Sequence, residues 1–383
     1  MSELKNDAGA AVDAPASSNA ASSPLAAMTA TTPTRLFNDS CASNELAYAI
    51  ERGATGATSN PVICLTVLRS EASVWQPRIR ALATENPGAH ERDLAWQLYC
   101  EMGMAGARQL APVFAANDRT WGRISVQTDP TLHNQRDAML EQATALSSLQ
   151  PNMQVKTPCT AAGVAMIEEA TYRGVSLNVT VSFSVPQVLA IADAVERGLE
   201  RRDREGLDTT HMAPVATFMM GRLDDWLKVV ASRSESTVAP EVLDWAGLAA
   251  FKRAYDLFGE RRYRTVLLAA AYRHLGHWSE IVGGRVVQTM PHEWQVKVDR
   301  AGFGPADRIG VPVAPDILRD LLTIPEFVRA YEPDGLSVAE FDSFGPTVRT
   351  LRSFIGAWYD FVAVVRDVTL PDPDSLITNG VPA

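Results

Sequence analysis

Five lysines stand among thirty arginines in this 383-residue chain, at positions 5, 156, 228, 252 and 297. Only Lys156 lies inside an apolar, strand-like run, MQVKTP (153–158), beside Met153 and Val155. The other four sit in a polar tail or on amphipathic helical patterns, where the stem packs while the ammonium stays wet. A lysine pointing into a folded core is costly to charge, so its pKa falls. The neutral amine can then attack a carbonyl and form a Schiff base. The plainer alternative is a lysine paired with a buried carboxylate for architecture alone.

Polar side chains recur at the ends of the other apolar runs: Asp39, Asn60, Gln127, Asn178 with Thr180, Thr217, Arg222 and Arg273. In an extended chain Asn178 and Thr180 project to the same side. Each taken singly has an ordinary reading, since Asp and Asn cap helices and Thr is common at strand ends. Their convergence around one interior lysine is harder to attribute to capping. Arg222 and Arg273 close consecutive runs, and their forked, permanently charged groups suit a phosphate. Salt bridges to Asp224, Asp225 or Glu280 are the plainer account of them. His274 and His277 share a helical turn but lack an evident third ligand, so no metal site is expected. Gly283-Gly284 reads as turn chemistry, and Cys159 as a packing residue at a helix start.

These residues need elements to position them. Eight short apolar runs stand out: RLFNDS (35–40), GATSNP (56–61), RISVQTD (123–129), MQVKTP (153–158), SLNVTVSFS (176–184), VATFMMGR (215–222), RTVLLAAAYR (264–273) and RVVQTM (285–290). Between most lie segments such as TAAGVAMIEEATYRG, whose apolar residues recur at three and four and which stop at Gly or a basic cluster. Two helix-sized segments fit between the second and third runs. Eight βα units predict a single (β/α)8 TIM barrel, whose catalytic residues sit at the C-terminal ends of its strands. About 80 further residues read as C-terminal helices. In TVRTLRSFIGAWYDFVAVVRD, positions Val348, Leu351, Phe354, Ile355, Trp358, Phe361, Val362 and Val365 form one broad stripe for packing on the barrel.

Residues 1–34 are rich in Ala, Ser, Thr and Pro without an aromatic, which predicts a flexible tail before a folded unit spanning 35–383. The chain as a whole is 46% hydrophobic and 21% charged, a globular composition that excludes disorder throughout. Its net charge of −10 provides no global field for nucleic acid or anionic membrane, so an anionic substrate must be held by a few local cations. No apolar run approaches a membrane span, and the start lacks signal-peptide character, which makes the cytoplasm the default location. Cys41, Cys64, Cys100 and Cys159 have no metal or disulfide spacing and read as reduced, space-filling thiols.

The ordered motifs resemble those of the transaldolase family over roughly residues 35–367: Asp39, TSNP (58–61), SVQTDP (125–130), QVKTP (154–158), NVTVSFS (178–184), TFMMGR (217–222), AAYR (270–273) and TMP (289–291). The resemblance implies class I aldolase chemistry on a (β/α)8 barrel without metal or cofactor, and transfer of a three-carbon dihydroxyacetone unit between sugars in carbohydrate metabolism of the pentose phosphate type. Lys156 matches the family's Schiff-base lysine and Asp39 its acid/base carboxylate. Asn60 and Asn178 match residues binding substrate hydroxyls or the intermediate. Thr180 matches the threonine that helps hold a catalytic water, Thr217 occupies a serine position, and Arg222 and Arg273 match phosphate-binding arginines. Expected partners are small-molecule sugar phosphates, with a homodimer left open.

The departures bear on chemistry. Gln127 stands where transaldolases carry a glutamate working with the water, and an amide cannot titrate. In this it resembles the fructose-6-phosphate aldolase branch, which releases the three-carbon unit. Yet Met219 stands where that branch has tyrosine and transaldolases have phenylalanine, and Ala271 replaces a phosphate-binding serine. Three readings follow: a specialised transaldolase-like transferase, an aldolase releasing dihydroxyacetone, and a catalytically silent barrel that binds sugar phosphates or a partner.

Overall fold

A computed structural model describes residues 23–234 and 237–374. Eight parallel strands close into a barrel in chain order: β1 (Arg35–Asn38), β2 (Gly56–Thr58), β3 (Arg123–Gln127), β4 (Met153–Pro158), β5 (Leu177–Thr180), β6 (Val215–Met219), β7 (Val266–Ala270) and β8 (Val286–Met290). Every strand falls within one of the eight apolar runs. Strand alternation sorts side chains by destination. On β3, Ile124 and Val126 face the helix Glu91–Ala116, where a Cβ on Gly106 or Gly103 would come within 2.5 Å of them. Ser125 and Gln127 therefore face the barrel axis. The outward set packs as hydrocarbon beneath the helices, while the inward set near the strand C-termini is polar and almost wholly buried.

Between β2 and β3 run three helices, Pro61–Ser70, Ala72–Glu85 and Glu91–Ala116, one more than the two expected. The extra boundary falls at Ser70–Glu71, where the helix breaks and restarts without a proline or glycine to announce it.

Two expectations change. Residues 24–31 form a helix inside the segment read as flexible tail; residues 1–22 lie outside the described residues. Ser23 caps this helix, accepting from the Ala26 N–H (3.2 Å), and donates to Asp299 (2.6 Å). Leu25 and Met28 are fully buried against Leu36, Trp278 and Met290. The helix covers the outside of β1 and β8, where the β7–β8 connection offers only the four-residue helix Gly276–Ser279. An Ala/Thr-rich sequence suffices because two apolar side chains meet an otherwise uncovered sheet.

The second change is at the C-terminus. Helix Gly345–Thr369 packs by the expected stripe, but Val348 is exposed, and Thr347, Thr350 and Ala357 take buried positions. Trp358 stacks on Phe361 and meets Trp96 and Tyr99 edge to face, which locks this helix against Glu91–Ala116.

Candidate active site

The strand register builds the centre of the site. Gln127 of β3 pairs with Lys156 of β4, and Lys156 with Asn178 of β5, so three long polar side chains emerge side by side towards the axis. Lys156 is only 3% exposed. Its Nζ donates to the Ser59 carbonyl at 3.3 Å, and no carboxylate lies within ion-pairing distance of it among the described residues. Burial lowers its pKa, opposed by the Asp39 carboxylate and reinforced by the Arg222 guanidinium. The architectural ion pair is therefore absent at Lys156.

Asp39 leaves the end of β1, its backbone N–H held by the Met290 carbonyl at 3.0 Å. Thr58 of β2 donates to Asp39 Oδ1 (2.6 Å) and meets Thr289 of β8 at 2.5 Å. Burial raises the Asp39 pKa; Lys156, Thr58 and Arg222 pull against that rise. Desolvation thus pushes the carboxyl and the amine towards each other on the pH scale, the pattern that equips a pair for proton transfer near neutrality.

The remaining inward residues form a chain. Thr217 Oγ1 of β6 donates to Asn178 Oδ1 (2.6 Å), and Asn178 Nδ2 donates to Ser125 Oγ (2.9 Å). This network presets the Asn178 amide. Thr180 is buried with its hydroxyl 3.9 Å from Met219 Sδ. Asn60 spends its side-chain oxygen on the Ile63 N–H (3.0 Å), capping helix Pro61–Ser70. Gln127 differs from all of these, because both its Oε1 and its Nε2 are buried without a partner among the described residues. An unsatisfied amide in a core costs about 1–3 kcal/mol per lost partner, a cost that functional sites commonly carry.

The two arginines arrive at adjacent strand ends. A Cβ on Gly221 would stand 2.1 Å from the Ala271 carbonyl oxygen and 2.6 Å from Arg273 Cγ, so only glycine lets the β6 and β7 exits approach this closely. Ala271 itself has a positive φ of 66°. Arg273 is bound to Asp225, Nη2 to Oδ2 at 2.6 Å, the plainer reading of it. Arg222 has no carboxylate partner among the described residues; its Nη1 reaches only the Thr350 hydroxyl at 3.4 Å. Burial and the Arg273 charge lower its pKa. Beside it opens a cavity of about 230 Å³ that also takes in Arg349, Thr350 and Ser353 from helix Gly345–Thr369. The sequence reading missed Arg349 and Ser353. Their i, i+4 spacing puts them on one helix face, but nothing local says that this face meets β6.

The structure also supplies a third group to the histidine pair: donor atoms of Asp224, His274 and His277 lie within 4.8 Å of one another. Hydrogen bonding argues against a metal there. His277 Nδ1 accepts from the Arg273 N–H (3.1 Å), so the proton sits on Nε2, facing Asp224 Oδ2 at 3.0 Å. A metal on Nε2 would need that proton moved to Nδ1, against another donor.

A lysine at the C-terminal end of a barrel strand, framed by inward polar residues and arginines, defines an aldolase-like (β/α)8 architecture. Residues 36–302 match the family model for transaldolase/fructose-6-phosphate aldolase, and the chain belongs to this family of enzymes. Among similar proteins, the transaldolase of Thermobifida fusca is 29% identical over 270 residues, covering 63% of this chain and 71% of the relative. That of Acidothermus cellulolyticus is 32% identical over 223 residues, 57% of this chain and 58% of the relative. That of Mycobacterium tuberculosis is 27% identical over 282 residues, with 67% and 75% covered. No helix among the described residues is long and apolar enough to cross a membrane.

Proposed function

We propose that the chain transfers a dihydroxyacetone unit from a ketose phosphate to an aldose phosphate through a Schiff base on Lys156. The observation that carries this reading is a buried lysine with lowered pKa and no ion-pair partner among the described residues, in register with Gln127 and Asn178. Its neutral amine adds to the ketose C2 carbonyl and loses water to give an iminium. Asp39, whose carboxylate accepts protons more readily than an ordinary one, takes the C4 hydroxyl proton. The C3–C4 bond breaks, its electron pair enters the iminium, and an aldehyde departs from a three-carbon enamine. The enamine then attacks an acceptor aldehyde, reversing these steps. Asn178, preset by Thr217 and Ser125, and the Asn60 amide bind hydroxyls; Thr180 holds the water released and consumed with the imine.

Arg222 with Arg349, Thr350 and Ser353 forms the phosphate pocket in this scheme. Arg273 joins when a phosphate displaces Asp225, an exchange that is easy because both partners are more than a third exposed and such ion pairs contribute little.

The test is borohydride trapping of the full chain with fructose 6-phosphate or dihydroxyacetone, followed by peptide mapping. A reduced three-carbon adduct on Lys156, absent from Lys156→Ala, is expected; no adduct with either compound refutes the mechanism. Gln127 favours a second reading, in which dihydroxyacetone is released. A glutamine cannot serve as a titrating base for water, and its two unpartnered amide atoms are free to hold one in another geometry. Free dihydroxyacetone formed from fructose 6-phosphate without an acceptor selects that reading.

A further inference from the structure

The opposite end of the barrel carries chemistry that this reaction does not use. At the strand N-termini, Arg35, Arg264 and Arg285 border one cavity, and Arg123 lies at the same end of the barrel. Leu36 and Gln288 are partners on the outer face of β1 and β8. Arg35 and Arg285, one and three residues before them, consequently share the axial face. Arg123 precedes inward-facing Ser125 by two residues, whereas Arg264, just before β7, turns to acids of helix Val185–Arg204.

Arg264 is paired with Glu196 and Asp203. The other three have no carboxylate within 4 Å among the described residues. Arg123 donates instead to the carbonyls of Thr120, Arg119, Pro151 and His211. Arg285 donates to the carbonyls of Tyr263 and Arg264. Among the described residues Arg35 has no hydrogen bond of this kind; its guanidinium lies 4.4 Å over the Trp121 ring, which holds the plane by one face and leaves the donor-bearing edge available.

Arg35 and Arg285 border a common cavity of about 340 Å³ with Trp121, Met212 and Pro214, within the range of small-molecule sites. Their charges repel, and burial together with Arg285 makes the Arg35 charge harder to maintain. A protein with ten net negative charges has placed uncompensated guanidinium groups around one hollow.

We propose that this N-terminal mouth is a second binding site, taking a small phosphate-bearing anion at Arg35 and Arg285. A dianion bridging the two would remove their repulsion and use the free edge of Arg35 in charge-assisted hydrogen bonds. A free phosphate ion and a small sugar phosphate share this chemistry. The site lies a full barrel length from Lys156, and its occupancy is independent of the reaction assigned above.

The experiment is calorimetric titration of the full chain with inorganic phosphate, and separately with fructose 6-phosphate, in wild type and in Arg222→Ala, Arg285→Gln and Arg35→Lys variants. Arg222→Ala is expected to retain one phosphate equivalent. Arg285→Gln and Arg35→Lys are expected to weaken that equivalent at least tenfold, with circular dichroism and steady-state turnover unchanged. In Arg222→Ala, tighter binding of fructose 6-phosphate than of phosphate identifies a sugar phosphate as ligand, and equal binding identifies the free ion. Loss of all binding in Arg222→Ala, or wild-type affinity in both mouth variants, overturns the proposal. Neither outcome touches the borohydride result, so the two readings fail separately.

Discussion

Gln127 is one of three residues, with Met219 and Ala271, that the sequence resemblance sets apart from the transaldolase pattern, and its placement makes the consequence measurable. It sits in register beside Lys156 with both amide atoms unpartnered. A Gln127→Glu substitution would put a carboxylate next to the amine and favour the ammonium, raising the Lys156 pKa. In the wild type the reactive amine is lost as pH falls through a value below the ordinary 10.5. In the variant that acidic limb should move to higher pH, checked by the pH dependence of kcat/KM or of borohydride trapping rates. An unmoved limb would mean that the two side chains do not interact. At this scale the sequence was highly legible: a lysine in a strand-like run, surrounded by polar residues at corresponding strand ends, marks a polar interior by period-two alternation alone. The pairing of Arg273 with Asp225, and the use of the Asn60 oxygen as a cap, were legible only as the plainer alternatives weighed beside the functional ones.

Helix Gly345–Thr369 does two jobs along its length. Trp358 and Phe361 anchor it in hydrocarbon, while Arg349, Thr350 and Ser353 turn towards Arg222. Arg349→Ala should therefore raise KM for a phosphorylated acceptor about tenfold, the magnitude of one hydrogen bond to a charged group, with kcat within about twofold. Unphosphorylated glyceraldehyde provides the control, since its KM should not change. Equal effects on both acceptors would assign Arg349 a structural role. The loop after β5 also depends on this helix: Gln187 Nε2 reaches the Val181 carbonyl and the Thr347 hydroxyl, both at 3.3 Å, and Val181 holds a positive φ of 58°. A β-branched residue in that region is strained, and the buried glutamine is what sustains it. The apolar stripe showed that the helix packs. Its partner and its rotation are properties of the docked pair, which is why Val348 was placed inside and Arg349 went unnoticed.

Across the whole molecule, closure of the barrel's last third runs through one buried pair. Asp224 accepts from the Gly247 N–H (2.7 Å) and faces His277, while His277 accepts from the Arg273 N–H, so the β6–β7 and β7–β8 connections meet there. Burial, reinforced by Arg273, pulls the His277 pKa down to about 3 from an ordinary 6.5. The unfolded chain thus takes up a proton below pH 6.5 that the folded chain refuses until about 3. Stability from this group is complete above 6.5 and is lost progressively as pH falls between those values. His277→Gln should flatten that branch. The loss of unfolding free energy between pH 8 and pH 5 should shrink by on the order of 2 kcal/mol, measured by urea titration at both pH values. An undiminished loss would place the acid sensitivity elsewhere.

Taken alone, the sequence determined the barrel, the eight strand positions and the inward polar set, because alternation, helical period and strand-end composition are local properties that repeat along the chain. It also carried the family, since eight short motifs in order are a linear signal. Only the tertiary structure decided that helix 24–31 is part of the fold, that Arg349 faces Arg222, that Asp224 completes the histidine pair, and that Arg35, Arg264 and Arg285 line one cavity at the N-terminal mouth. Each of these depends on residues far apart in the chain meeting at one place, and no window of sequence contains both partners.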